Sequence, residues 1–530
     1  MALKVGKEMK VKVELHVHTN YSYDCQTTFW QIIEKCKAEE IDVLGIADHN
    51  EIEGALGLQK VAPFRIIVGQ EVLTRDGEIV GFFLKKFIDP GSSVDQTIKE
   101  IKKQGGIVYL PHPLDKTTRK TAIDPGKLEN LIDEIDVIEI HNGRTVFPWD
   151  NNSARKLAIA KRKVMAVGSD AHTKYELGRN YMVMKDFSNP QQFIESLQSF
   201  EHKTSYVLPW AFFLTKYYRW RKRYRRERIE KISEECDLCG GKSVKILYKK
   251  KGELSQKYLI TDDSYGSHLQ IVKCVGCGLV FAYPRESQLK VLEKYQNFKD
   301  PLYEVERSAR SMNQQGIVQR LEKMVRGKKI LDVGCATGGL LSVAIDEGWE
   351  VFGVEPSKWA AQLAKKKYKL NVQAGTLDDL KLEREFDAIT CIDVIEHVTS
   401  ARKLIVQINS LLKKGGALCI VTPDKGSLVA RIMGERWWHI RPDHISYFDR
   451  QTLTMLLEGL GFRIEKVERY KWTFSYDYWA SRFQKNMPWI YHILMLLKKM
   501  PLTGNLTKRS YGVNFHDSLE VYCTKQKEVI

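Results

Sequence analysis

The stretch Val11–Asp24, VKVELHVHTNYSYD, decides how the N-terminal part of this chain is read. Its first five residues alternate apolar and polar, the period of a half-buried strand. Residues i and i+2 of a strand face the same side, so His16 and His18 at its end can reach one metal ion. Working outward, further short apolar runs are expected as strands: Val43–Ala47, Ile66–Gly69, Ile107–Leu110, Val137–Ile140 and Met165–Gly168. They alternate with helical patterns, which predicts a parallel α/β architecture. In barrels of that kind the working residues lie at the C-terminal ends of strands.

The polar residues obey that rule. His16, His18, His49, His112, His141 and His172 each stand at or just beyond a predicted strand end, interleaved with Asp48, Glu71, Glu139 and Asp170. One buried histidine is ordinarily structural; six mixed with carboxylates read as a site for Zn, Mn or Fe. The runs HVHTNYSYD, ADHN, GQE, LPHP, EIHNGR and GSDAH resemble, in order, the motifs of the PHP (polymerase and histidinol phosphatase) family. That resemblance implies a distorted (βα)7 barrel over residues 10–205 with two or three divalent metals and phosphoesterase activity. It implies His16, His18, Glu71 and Asp170 at the first metal. Glu71, His112 and His141 belong at the second, with Glu71 bridging, and Asp24, His49 and His172 at the third. Arg144 and Arg179 follow ligand motifs, and each is a candidate fork for a substrate phosphate. The short loops favour a nucleotide, short oligonucleotide or small phosphate ester over a polymer.

Residues 206–232 form a break. Tyr206–Leu214 is apolar and aromatic, and Lys216–Lys231 carries nine Lys/Arg against two Glu. This segment reads as a solvated linker helix, an amphipathic anchor on an anionic membrane or a nucleic-acid patch. The net charge of +17 favours anionic partners without choosing among them. Cys236-x-x-Cys239 and Cys274-x-x-Cys277 follow, each pair preceding a glycine, and are expected to hold one structural zinc in a module over residues 233–285. No signal-peptide core or run of membrane-spanning length is visible, so the expected location is cytoplasmic, with peripheral membrane contact open.

Lys329–Gly339, KILDVGCATGG, reads as a buried strand and a glycine turn opening a helix, and Val351–Glu355 as a strand ending in an acid that can bind ribose hydroxyls. With FDAITCIDVIEHV from Phe386 and LLKKGGALCIVTP from Leu411, this resembles the ordered motifs of class I methyltransferases. The resemblance implies a Rossmann-like domain over residues 286–527. S-adenosyl-L-methionine would be held by Asp332, Gly334, Ala336, Gly338, Glu355, Thr376, Leu377 and Asp393. Ala336 stands where the family commonly has glycine. The cysteine module, YPRE and Trp437–Asp449 (WWHIRPDHISYFD) resemble a zinc-bearing subgroup, with His444 a candidate base near the acceptor and His439 a poorer one. Asp393, Glu396 and His397 resemble the acidic-His metal cluster of ubiquinone-biosynthesis O-methyltransferases and share a face if the segment is helical. Pro488–Met500, apolar with basic residues at its end, is a core or acceptor-lid segment. The expected whole is a bifunctional enzyme that hydrolyses a phosphoester and methylates a small molecule or glycan. A nucleic-acid enzyme and a scaffold with an inactive methyltransferase fold are the alternatives.

Overall fold

The computed structural model describes residues 9–115, 121–224, 229–252, 267–299, 304, 306–380, 386–477, 480, 488–499 and 510–528. Residues 225–228 of the basic linker, 253–266 of the cysteine segment and Met500 lie outside the described residues. The chain divides into two units: residues up to 245 with 274–278, and 246–273 with 279 onward.

In the first unit the six expected runs become strands β1 (Lys10–Val17), β2 (Val43–His49), β3 (Arg65–Leu73), β5 (Ile107–Leu110), β6 (Val137–Asn142) and β7 (Val164–Ala171), and β4 (Glu78–Phe82), β8 (Tyr181–Lys185) and β9 (Glu201–Lys203) join them without having been expected. β1 pairs with both β2 and β7, which closes β1 to β7 into a seven-stranded barrel; β8 and β9 extend it antiparallel from the start of β1. Only β4 runs against its barrel neighbours. Val13, Leu15, Val43, Phe82 and Tyr109 are among the buried residues of its core, each worth roughly 1.5–3 kcal/mol when fully removed from water. The helix Phe29–Ala38 shows why the flanking segments coil. Thr28 and Gln31 close a capping box, and Phe29, Ile32, Ile33 and Cys36 recur on one buried face.

The basic linker is not a detached helix. Pro209–Tyr224 belongs to the first unit, with Ala211 and Thr215 buried at i and i+4. On its next turns Lys222 donates to the carbonyls of Asn20 (2.9 Å) and Ser22, and Arg221 reaches Gln26 Oε1 at 3.4 Å. Phe213, Tyr217 and Trp220 remain exposed. Beyond it β10 (Ile229–Lys231) pairs antiparallel with the start of β11 (Ser243–Tyr248).

The remaining strands are β12 (Ile271–Cys274), β13 (Val280–Ala282), β14 (Lys329–Val333), β15 (Glu350–Glu355), β16 (Val372–Ala374), β17 (Phe386–Ile392), β18 (Leu412–Pro423), β19 (Ser446–Tyr447), β20 (Phe462–Arg469), β21 (Trp472–Ser475), β22 (Ser510–Val513) and β23 (Ser518–Lys525). Seven form the second unit's main sheet in the order β16-β15-β14-β17-β18-β23-β20, parallel from β16 to β18 with β23 antiparallel to both its neighbours. The order reverses at β14, and a crevice opens at such a switch point. β13 pairs with β12 and β19, and Ile271, Val280 and Ala282 pack on buried Trp437.

No helix among the described residues is long and apolar enough to cross a membrane.

Candidate functional site

The barrel's strand ends carry a buried cluster of histidines and carboxylates. β1 departs from regular register between Glu14 and Val17, and His16 takes a left-handed backbone, φ 59°. His16 and His18 therefore converge through a bulge rather than by simple strand alternation. Asp170 (φ 53°) and His112 (φ 31°) are held the same way. Non-glycine residues there cost about 1–3 kcal/mol each, and such strain gathers at functional sites.

Glu71 is the hub. Its carboxylate oxygens lie 2.9 Å from His49 Nδ1, 3.1 Å from His112 Nε2, 3.6 Å from His16 Nε2 and 3.7 Å from His18 Nε2. Asp170 Oδ1 is 3.3 Å from His18 Nε2 and 3.8 Å from His16 Nε2. Asp24 Oδ1 is 3.4 Å from His172 Nε2 and 3.7 Å from His49 Nε2. Three ligand clusters result: His16 with His18 and Asp170, His16 with Glu71 and His112, and His18 with His49 and His172. Nε2 of His16, Nε2 of His18, Oδ1 of Asp24 and Oε2 of Glu71 are buried and make no hydrogen bond. Atoms left so cost about 1–3 kcal/mol each, and all four are potential ligand atoms, so the residues fit divalent ions.

Burial opposes ionisation of every group here, and neighbouring charges decide each outcome. Glu139, Asp170 and Glu71 overcome burial at His16 and hold it well above the usual imidazole range. Burial together with His172 and His49 pushes His18 well below it. Against burial, the surrounding histidines keep Asp24 and Glu71 ionised, both well below the usual carboxylate range.

His141 stands at the end of β6. Its ring nitrogens meet Ser205 O at 3.4 Å and the Asn151 side chain at 3.3 Å. Arg144, a candidate phosphate fork, is buried, with Nη2 donating to Thr215 Oγ1 (2.6 Å) and Nε 3.3 Å from Glu176 Oε1. Arg179 is half-buried at the turn into β8. Two carboxylates stand beside the ligand sets that the resemblance implied without belonging to them. Glu139 meets His16 Nδ1 at 2.9 Å and accepts from the His112 N–H (2.6 Å) and the Tyr109 hydroxyl (2.8 Å), orienting two ligands. It lies so close to Gly168 that a Cβ there would meet Glu139 Oε1 at 1.5 Å. Glu78 lies 3.9 Å from His49 Nδ1 and 3.8 Å from His112 Nε2, but stands on β4, a strand that no periodic run announced.

Cys236, Cys239, Cys274 and Cys277 are buried, and their sulfurs lie within 4.8 Å of one another. Four thiolates so placed fit a closed tetrahedral zinc site. They do not form a module of their own: all four lie in the first unit. Asn20 Nδ2 donates to Val275 O (2.5 Å), and Gly276 packs on Phe29 and Tyr21. The loop between His18 and Asp24 is thereby held by the cysteine knuckles. From the barrel side it is held by Asp48, which accepts from Thr19 (2.6 and 2.7 Å) and Ser22 (2.7 Å).

The second unit contains a cavity of about 810 Å³, the size of a cofactor or small-ligand site. Asp332, Gly334, Ala336, Glu355, Thr376, Leu377 and Asp393 line it, as do Glu396, His397, His439 and His444. Glu355 accepts from the N–H of Ala336 (2.8 Å) and of Ser357 (2.7 Å), which ties the acid to the glycine turn. Gly334 has φ 74°, and a Cβ would meet Val394 Cγ2 at 2.4 Å. Ala336 takes the same left-handed region, φ 48°. Gly338 stands behind the lining as the N-cap of the helix Gly339–Asp346. Burial, with Glu355 nearby, pushes Asp332 up to about 7 while Thr390 donates to it at 2.7 Å. Asp393, Glu396 and His397 lie in a turn, not a helix; the group close enough for a metal is Glu396, His397 and His444. Burial and then His397 push His444 well below the usual imidazole range, and its Nδ1 is buried without a hydrogen bond.

Comparison with known proteins bears on both units. Residues 14–125 match the model of the PHP domain, 148–200 that of a PHP-associated region and 306–467 that of a methyltransferase domain. An uncharacterized protein of Methanocaldococcus jannaschii is 29% identical over 197 residues, 36% of this chain and 79% of that protein. A second protein of that organism, also uncharacterized, is 36% identical over 118 residues, 19% of this chain and 68% of its own. The ubiquinone biosynthesis O-methyltransferase of Coxiella burnetii is 32% identical over 154 residues, 26% of this chain; the chain spans 65% of its length. A SAM-dependent methyltransferase structure from Archaeoglobus fulgidus is 20% identical with a TM-score of 0.27, covering 40% of this chain and 94% of that one.

Proposed function

We propose that the first unit, whose residues match the PHP-domain and PHP-associated models, hydrolyses a small phosphoester, and that the second, whose residues match a methyltransferase-domain model, methylates a small-molecule or glycan acceptor. Four buried ligand atoms that no hydrogen bond satisfies carry the first half. Divalent ions held there would polarise a phosphoryl oxygen and acidify a water molecule. The protein's own part is placement. Glu71 spans the clusters, Glu139 fixes the rings of His16 and the backbone of His112, and Asp48 braces the loop that delivers Asp24.

In the second unit S-adenosylmethionine would supply an electrophilic methyl group. Glu355, backed by the turn at Ala336, would hold its ribose, and Gly334 lets backbone approach the ligand closely. His444 is kept neutral by its surroundings and lines the same cavity, so it is positioned to accept a proton from an acceptor hydroxyl. The likeness to an O-methyltransferase favours an oxygen acceptor.

Metal content and hydrolysis of p-nitrophenyl phosphate, measured on wild type, His16→Ala and Glu71→Ala, test the first half. Activity and two or more equivalents of metal beyond the one zinc expected at the four cysteines in wild type, both lost in the two variants, are expected. A wild type that binds only the thiolate zinc and hydrolyses nothing would refute it. For the second half, His444→Ala should bind the cofactor normally by calorimetry yet lose methyl transfer about 100-fold or more.

A further inference from the structure

Of the nine Lys/Arg of the linker, three on one helix have separate tasks. Lys222 and Arg221 fasten the helix Pro209–Tyr224 to the loop of residues 20–26. Arg219 reaches the metal-ligand cluster itself. Its Nη2 is 3.0 Å from Asp24 Oδ2 and 3.3 Å from the Tyr23 hydroxyl. The other oxygen of the same carboxylate, Oδ1, faces His172 and His49. One carboxylate thus separates the guanidinium from the candidate metal positions.

Arg219 is also held in place while remaining open. Its guanidinium carbon lies 4.9 Å from the centroid of the Tyr23 ring, and that ring stacks on His49 at 5.0 Å. Both hydrogen bonds use Nη2, and the side chain is 58% exposed. Solvent therefore reaches a fixed cationic fork at the rim of a buried, metal-binding site. Of the two arginines that follow ligand motifs, Arg144 is buried against Thr215 and Glu176, and Arg179 is half-buried at the start of β8. The helix that carries Arg219 lies outside the residues that match the PHP and PHP-associated models.

We propose that Arg219 is the residue that recognises the substrate's phosphoryl group, and that it selects phosphomonoesters over diesters. This rests on the phosphoesterase reading of the first unit. A monoester carries three non-bridging oxygens and a second negative charge; a diester carries two oxygens and one charge. Ions in the site clamp phosphoryl oxygens, and the third oxygen of a monoester then needs a partner at the rim. A guanidinium fork there makes charge-assisted hydrogen bonds that a diester, with that oxygen esterified, cannot return.

The test uses the full chain loaded with Mn²⁺, as wild type, Arg219→Ala and Arg219→Lys. Three quantities are measured: bound metal, steady-state hydrolysis of p-nitrophenyl phosphate and bis(p-nitrophenyl) phosphate, and affinity for inorganic phosphate by calorimetry. Arg219→Ala should keep its full metal complement, raise KM for the monoester about tenfold with kcat within about twofold, leave the diester unchanged and weaken phosphate binding about tenfold. Arg219→Lys should recover part of the affinity, since it keeps the charge and loses the fork. An equal effect on both esters, a lost metal equivalent, or phosphate affinity unchanged in Arg219→Ala would each overturn the proposal, leaving Arg219 as a brace for Asp24. A wild type that binds phosphate but hydrolyses neither ester would instead refute the phosphoesterase reading, and the calorimetry would still judge Arg219.

Discussion

The two units solve ligand binding with different materials. The barrel's centre is built from charged side chains packed against one another, with Glu71 within 3.7 Å of four imidazoles. The second unit's site is a cavity of about 810 Å³ lined in part by a glycine turn tied to one acid. In the first, chemistry resides in residue type at the ends of strands. In the second, it resides in shape, and the acid–turn bond must exist before a cofactor can be held. A site of the first kind names its ligand class in its residues. One of the second kind names a cofactor and leaves the acceptor open.

The sharpest way to break this comparison is to damage each site alone. Glu71→Gln should abolish hydrolysis, by about 1,000-fold or more, while methyl transfer persists. Glu355→Gln should weaken cofactor affinity about 10- to 100-fold by calorimetry with hydrolysis untouched, because one ribose-binding carboxylate and a backbone tie are weakened together. Loss of both activities from either change would show that the two sites are not independent.

Next in size is the cysteine cluster, since it tests which unit the knuckles serve. Cys239→Ser should release the thiolate zinc and loosen the loop at Asn20 and Tyr21. Hydrolysis should then fall about tenfold or more, and the barrel should unfold at lower temperature. A fall in methyl transfer with the barrel unaffected would return the knuckles to the second unit.

A smaller effect separates the units by pH. Asp332 is raised from 3.8 to about 7 in the folded state, so the folded chain holds a proton that the unfolded chain releases between those values. Its contribution is full below pH 4 and is lost as pH rises through about 7, on the order of 4 kcal/mol by pH 9. Asp332→Asn keeps an oxygen for Thr390 to donate to. The second unit of wild type should lose thermal stability between pH 5 and 9, and that of the variant much less. The smallest effect is Ala336→Gly. Relief of the left-handed strain, set against glycine's greater freedom when unfolded, should leave a gain of about 0.5 kcal/mol in the second unit's stability.

Much of the metal centre was legible because its ligands are chemically unmistakable and stand at strand ends. The pairing of His16 with His18 was anticipated from strand alternation, although the structure achieves it through a bulge and a left-handed His16. Glu78 was hidden because β4 is a five-residue reversed strand with no amphipathic period of its own. Glu139 was visible as a motif residue, but its work, orienting His16 and His112, is a contact between strands distant in sequence. The spacing of Asp393, Glu396 and His397 would put them on one face only in a helix; in the fold the segment is a turn that places Glu396 and His397 beside His444.

The sequence by itself determined the order of the two units, the ligand types of the barrel and the glycine turn of the second sheet. Each of these is written in local periodicity and in residue chemistry that allows few uses. Only the tertiary structure decided that Arg144 is buried, that Arg219 stands beside Asp24, that His141 meets Ser205 and Asn151 and that the cysteine knuckles hold the His18–Asp24 loop. Those facts depend on which helix packs on which loop. That choice comes from the summed burial of many side chains far apart in the chain, and no local pattern records it.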